Sequence, residues 1–167
     1  MVLHWLTAAL VLVLFSTAEF WNALPHGNKT RPILQSFHIS LGLLLCLVIV
    51  TRIWWRIFRG KRLVVAPEAA KLVHRCLYTL LVTRASLGVL YRWAQAESFQ
   101  LFGLVTLRFA STRNPVLAPL FGNLHNVTAW IIVGLALGHG GMALVHHYRL
   151  KDGILLRMAG GKEKPGR

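Results

Sequence analysis

The stretch His125-Asn126-Val127-Thr128-Ala129-Trp130-Ile131-Ile132-Val133-Gly134-Leu135-Ala136-Leu137-Gly138-His139 decides the fold, because two histidines fourteen residues apart bracket an uncharged segment. Wound as an α-helix, fourteen residues rise about 21 Å and turn about 1400°, which returns the second imidazole to within roughly 40° of the first. Both therefore face one way at two depths. The Ile, Leu, Val and Ala between them suit lipid, so the two imidazoles sit toward opposite sides of a bilayer. A buried imidazole there needs a partner, and a metal is the commonest reason for several to converge.

The rest of the chain is built for the same solvent. Its 167 residues are 55% hydrophobic with mean hydropathy +0.54, too apolar for an ordinary soluble domain. Four windows of roughly 20 residues qualify as spans: Leu3 to Trp21, His38 to Phe58, Val73 to Trp93 and His125 to His147. The first is read as a helix and not a signal peptide, since Glu19 stands where a small-residue cleavage site belongs and no basic stretch precedes it. No repeat or second domain interrupts residues 1–167. The expectation is one all-α integral membrane domain, an up-down four-helix transmembrane bundle. The long segment from Ala94 to Leu124, with Phe102-Gly103-Leu104, Pro115 and Pro119, is expected to cap one face.

A net charge of +14 suggests nucleic acid until the 19 Lys and Arg are placed by segment. Arg52, Arg56, Arg59, Lys61, Arg62, Lys71 and Arg75 surround the second connection, and Arg149, Lys151, Arg157, Lys162, Lys164 and Arg167 follow the last span. The other two connections hold Lys29, Arg31, Arg92, Arg108 and Arg113. Thirteen against five places the middle loop and both termini in the cytoplasm. Charge asymmetry explains the basic balance, and no nucleic-acid partner is needed. Trp21, Trp54, Trp55 and Trp93 sit near span ends, as interfacial indoles do.

That topology gives each histidine a depth. His4 starts a helix on the inner side, His38 and His125 start helices on the outer side, and His139 lies the better part of a membrane thickness below His125. Depth pairs His38 with His125 outside and His4 with His139 inside. Each histidine alone reads as an interfacial helix-end residue; four at matched depths read as two bis-histidine sites, which suit two haems b in a bundle core. Neither Cys46 nor Cys76 belongs to a C-x-x-C-H motif, so such haems are held noncovalently. Gly42, Gly140 and Gly141 let a flat macrocycle approach their helices. His26 reads as a solvated loop residue, His74 as a capping or interfacial one, and His146 and His147 as interfacial residues or contacts to a quinone headgroup. Arg52, fourteen residues after His38, either faces a propionate of the inner haem or snorkels to the headgroups. Arg84, mid-span, needs a propionate, a quinone oxygen or water. Glu19 reaches the interface or pairs with an outer arginine.

These residues together resemble the bacterial diheme cytochrome b561 family over nearly the whole chain. The resemblance rests on His4-Trp5, Ala18-Glu19-Phe20, His38-Ile39-Ser40-Leu41-Gly42, Arg52 and Arg56, His74 with Tyr78 and Gly88, and Phe102-Gly103-Leu104. It is most specific from His125 through His139 to Ala143-Leu144-Val145-His146-His147-Tyr148, then Lys151-Asp152-Gly153 and Leu155-Leu156-Arg157-Met158. By position, the family's haem ligands fall on His4, His38, His125 and His139. The resemblance implies two haems b in a multi-pass protein of the bacterial inner membrane, exchanging electrons with ubiquinone or another quinone; some members resemble superoxide oxidases. Here three residues precede His4, Asn126 stands where Glu is frequent, and Arg84 occupies a normally apolar stretch.

The function expected is transmembrane electron transfer between an outer donor, superoxide among the candidates, and the quinone pool. One alternative is an electron conduit for a periplasmic redox protein such as a cytochrome c. Another, a histidine-lined metal-ion path, lacks polar groups between Ile131 and Leu137.

Overall fold

A computed structural model describes residues 2–58, 68–102, 104–107 and 112–151. Four helices carry it: α1 (Val2–Ala23), α2 (Thr30–Phe58), α3 (Glu68–Ala94) and α4 (Leu117–Val145), the last continued by a π-helical turn, His146–Leu150. Arg59, Lys61, Arg62, Gly103, Arg108 and the motif residues from Asp152 onward lie outside the described residues.

Three helices, α1, α2 and Leu117–Leu150, are long and apolar enough to cross a membrane. At 27 residues, about 40 Å, α3 has the length but not the composition. It carries Glu68, Lys71, Arg75, Arg84 and Arg92, where the sequence reading counted four equivalent spans.

Two helices begin eight residues before the windows that sequence gives them. The Asn28 Oδ1 accepts the Thr30 N–H at 2.8 Å, and the Asn114 Oδ1 accepts those of Val116 and Leu117 at 3.0 and 2.9 Å. Each satisfies orphan donors of a first turn. Pro32 and Pro119 follow in first turns, where a missing N–H costs nothing. His38 and His125 are consequently interior residues, eight positions from the starts at Thr30 and Leu117.

The expected all-helical content has one exception. Phe99–Leu101 (β1) and Val105–Leu107 (β2) form an antiparallel hairpin, with Gln100 opposite Thr106. The Phe102 N–H donates to the Ser40 Oγ of α2 at 2.8 Å, which ties the hairpin over one end of the bundle, below called the hairpin end.

The packed core lies mainly between α1 and α2. Leu10 and Leu14 interlock with Leu45, Val48 and Ile49, and Leu81 of α3 packs against them. Helix α3 packs along α4, and α1 along α2, far more extensively than α2 packs on α3. The pairs also touch through Phe15 and Trp130, whose rings meet edge to face at 4.9 Å. Leu12, Leu47, Trp54, Trp55, Ile57 and Leu137 stay exposed, as lipid-facing side chains do, because hydrocarbon solvates them.

Candidate functional site

At the hairpin end the two helix pairs leave a cavity of about 390 Å³, and His38, Arg84 and His125 all line it. Each histidine is oriented through its Nδ1. The His125 Nδ1 lies 3.1 Å from the carbonyl oxygen of Arg84. A carbonyl only accepts, so Nδ1 carries the proton and Nε2 keeps its lone pair. The His38 Nδ1 lies 3.2 Å from the Thr17 Oγ1, whose own proton is donated to the carbonyl of Leu14 at 3.0 Å. By elimination His38 is the donor there, and its Nε2 is also left unprotonated. Such partners are what fix a metal-ligating imidazole's tautomer and ring plane.

Small residues make room for these rings. A Cβ on Gly88 would come within 3.1 Å of the His125 Cε1, so α3 and α4 approach here because position 88 has no side chain. Gly42 also lines the cavity, and a Cβ there would meet nothing within 4 Å. Trp21, read from sequence as an interfacial indole, instead packs edge-on against His38 at 4.9 Å between ring centres.

Arg84 was expected to need a propionate, a quinone oxygen or water. Its guanidinium donates to the backbone carbonyl of His125, while its own carbonyl receives that histidine's Nδ1 proton. The two residues interlock across α3 and α4. They are 41 positions apart, which no local spacing rule reaches.

The opposite end gathers three imidazoles. His4 and His139 have ring centres 6.4 Å apart, and His74 lies closer to His139, at 5.0 Å. From sequence His74 reads as capping or interfacial, and depth pairs His4 with His139 alone. His74 stands at that level too, and its place at the inner end of the third window was the signal for it. Arg52 turns toward α1: it donates to the Thr7 Oγ1 at 2.7 Å and lies 3.5 Å from the Leu3 carbonyl. Its guanidinium covers the Tyr78 ring at 5.1 Å, and that of Arg56 lies 5.6 Å from the same ring. Arg52 thus reaches the first turns of α1 close to His4.

Beside the main cavity, a second cleft shares Tyr91 and Pro119 with it and is lined by Gln95 and Arg113. Arg92 pairs with Glu97, yet among the described residues its Nε and the Gln95 Oε1 are buried without a hydrogen-bond partner.

A model of the prokaryotic cytochrome b561 family matches residues 1–161. The chain belongs to that family. It is 31% identical over 163 residues to cytochrome b561 homolog 2 of Escherichia coli K12, covering 94% of this chain and 87% of that one. It is 28% identical over 162 residues to cytochrome b561 homolog 1 of the same organism, covering 93% and 92%. A protein named "Probable superoxide oxidase CybB" from Yersinia pestis is 28% identical over 166 residues, covering 93% and 90%. As a cytochrome b561, the chain is a bacterial membrane protein of electron transport that binds haem b. The hairpin-end site fits that cofactor: two imidazoles with free Nε2 atoms line one cavity, and Gly42 opens onto it. Among the described residues no three or more His, Cys, Asp or Glu form a cage for a bare metal ion, and a porphyrin, supplying four nitrogens itself, requires none.

Proposed function

We propose that this cytochrome b561 carries single electrons across the bacterial inner membrane through two haems b, held by His38 with His125 and by His4 with His139. The electrons pass from superoxide on the outer side to ubiquinone or another quinone on the cytoplasmic side. The carrying observation is the paired arrangement of imidazoles at two ends of one bundle. Two imidazoles bound to one metal from opposite sides, each at about 2.0 Å, have ring centres about 6 Å apart. The 6.4 Å between His4 and His139 fits that spacing. The 5.0 Å between His74 and His139 is too short for it, which makes His74 a neighbour of the ligand.

When bound, the haems supply reversible one-electron chemistry. The chain does the rest. Thr17 and the Arg84 carbonyl aim the two outer imidazoles, and Arg52, half-buried beside His4, would neutralise a propionate of the inner haem. The Arg and Lys asymmetry puts both termini in the cytoplasm and the hairpin outside. There Arg113, in the cleft that adjoins the outer cavity, attracts a small anion. The relative named as a superoxide oxidase supports the same donor. Each superoxide leaves as O2 after giving up one electron; a quinone takes two electrons and two protons to become a quinol. His146 and His147, at the cytoplasmic end of α4, stand where its headgroup would arrive.

The test is haem content with reduced-minus-oxidised spectra of the purified protein. Two haems b per chain are expected, His125→Ala losing the outer and His139→Ala the inner, with His74→Ala retaining both. Two low-spin haems surviving either ligand substitution would end the assignment.

A further inference from the structure

The third helix carries a half-buried cation that the ligation scheme leaves without a task. Arg84 lines the cavity of His38 and His125, and the one described hydrogen bond of its guanidinium goes to the His125 carbonyl. It has no acidic partner: the ion pairs among the described residues are Lys71 with Glu68 and Arg92 with Glu97. A cation at this depth is expensive in a membrane helix, and a serine or an asparagine could donate to the same carbonyl without that cost. The charge itself therefore requires a reason.

The carbonyl that Arg84 engages belongs to a proposed haem ligand, so the guanidinium is tied to the backbone of that residue, at the wall of the cavity both line. Reduction of an iron with two neutral imidazoles removes one unit of positive charge from the site. A fixed positive charge nearby opposes the ferric form more than the ferrous one. We infer that Arg84 is an electrostatic positioning residue for the outer haem, keeping its iron easier to reduce than an apolar third helix would and so favouring acceptance of an electron from the outside. This rests on His38 and His125 holding that haem. Arg84 acts through the imidazole and the field, touching no reacting atom of the donor. Because the group is half-buried, bulk salt screens it less than it screens an exposed charge.

The experiment is a potentiometric titration of wild-type, Arg84→Gln and Arg84→Lys protein in detergent, following each haem by its spectrum, at low and high ionic strength. Glutamine keeps a donor for the His125 carbonyl and drops the charge; lysine keeps the charge. At the effective dielectric of protein sites, a unit charge within a haem's breadth of the iron changes the reduction equilibrium by about tenfold or more. Arg84→Gln is therefore expected to lower the outer haem's equilibrium constant for reduction at least tenfold, 59 mV for one electron. The inner haem should stay unchanged, Arg84→Lys should stay near wild type, and the difference should persist at high salt. An outer potential unmoved in Arg84→Gln overturns the inference. So does an equal fall in both variants, or loss of the outer haem from both, since either would make Arg84 a mechanical clamp on His125. Failure of the ligation reading would look different, as wild-type protein lacking two b-type haems.

Discussion

Replacing Gly88 with alanine places a methyl group 3.1 Å from the His125 Cε1 and 3.5 Å from its Nδ1. Carbon atoms in ordinary contact sit about 3.5–4.0 Å apart, so the ring must retreat from α3 by about 0.4 Å or more. The Arg84 carbonyl that receives the Nδ1 proton is one turn earlier on the same helix, so retreat from the methyl lengthens that 3.1 Å bond as well. A bond of this kind is worth about 1 kcal/mol net, and loss of a ligand-orienting partner typically lowers metal affinity about 10- to 100-fold. The backbone works the other way. Alanine favours a helix interior over glycine by about 0.8–1.0 kcal/mol, so the fold should hold while the outer haem loosens. Haem per chain and the low-spin signal of each haem, read by paramagnetic resonance, separate the two effects. The inner haem serves as the internal control. Two full, low-spin haems in Gly88→Ala, with signals unshifted, would refute the argument that α3 presses on this ligand.

Thr17→Val removes the acceptor of the His38 Nδ1 proton and is expected to weaken outer haem retention about 10- to 100-fold, with Thr17→Ser restoring it, checked by haem loss to an apoprotein scavenger. Arg52→Gln takes a cation from beside His4 and should lower the inner haem's potential by about 59 mV, tenfold in its reduction equilibrium; an unmoved potential would favour a headgroup role. Haem reduction by superoxide, followed by stopped flow, should slow as ionic strength rises and fall about 3-fold or more in Arg113→Gln, since steering by a basic mouth is worth roughly 10- to 1000-fold. Slow, salt-independent reduction would direct attention to a protein donor at the same surface.

What the sequence disclosed followed from helical periodicity and from charge. The fourteen-residue spacing of His125 and His139 needs only the rise and turn of a helix, and depth then brought His4 beside His139. His74 was missed because it stands at the very end of the third window, where a histidine ordinarily caps a helix or meets the interface. Thr17 gave no signal, since a helical threonine ordinarily satisfies itself on the preceding turn, as Thr17 does on Leu14. The interlock of Arg84 with His125 depends on how α3 lies against α4, and periodicity along one helix says nothing about its neighbour. The early starts of α2 and α4 were present in Asn28, Pro32, Asn114 and Pro119, and went unread because hydropathy windows mark the lipid core and not the helix end.

The division of the bundle into two closely packed helix pairs bears on how the protein is assembled. Each pair inserts with its backbone satisfied, and apolar side chains gain little by leaving lipid for one another. Beyond the Phe15–Trp130 and Leu81 contacts, a group held as proposed between histidines of α1 or α2 and those of α4 would join the pairs. Cofactor supply would then be a condition for the mature tertiary structure as well as for activity. Ligand-linked stability would follow, with a melting temperature that climbs as haem is loaded, and a cell short of haem would hold this chain as two loosely associated hairpins exposed to membrane proteases.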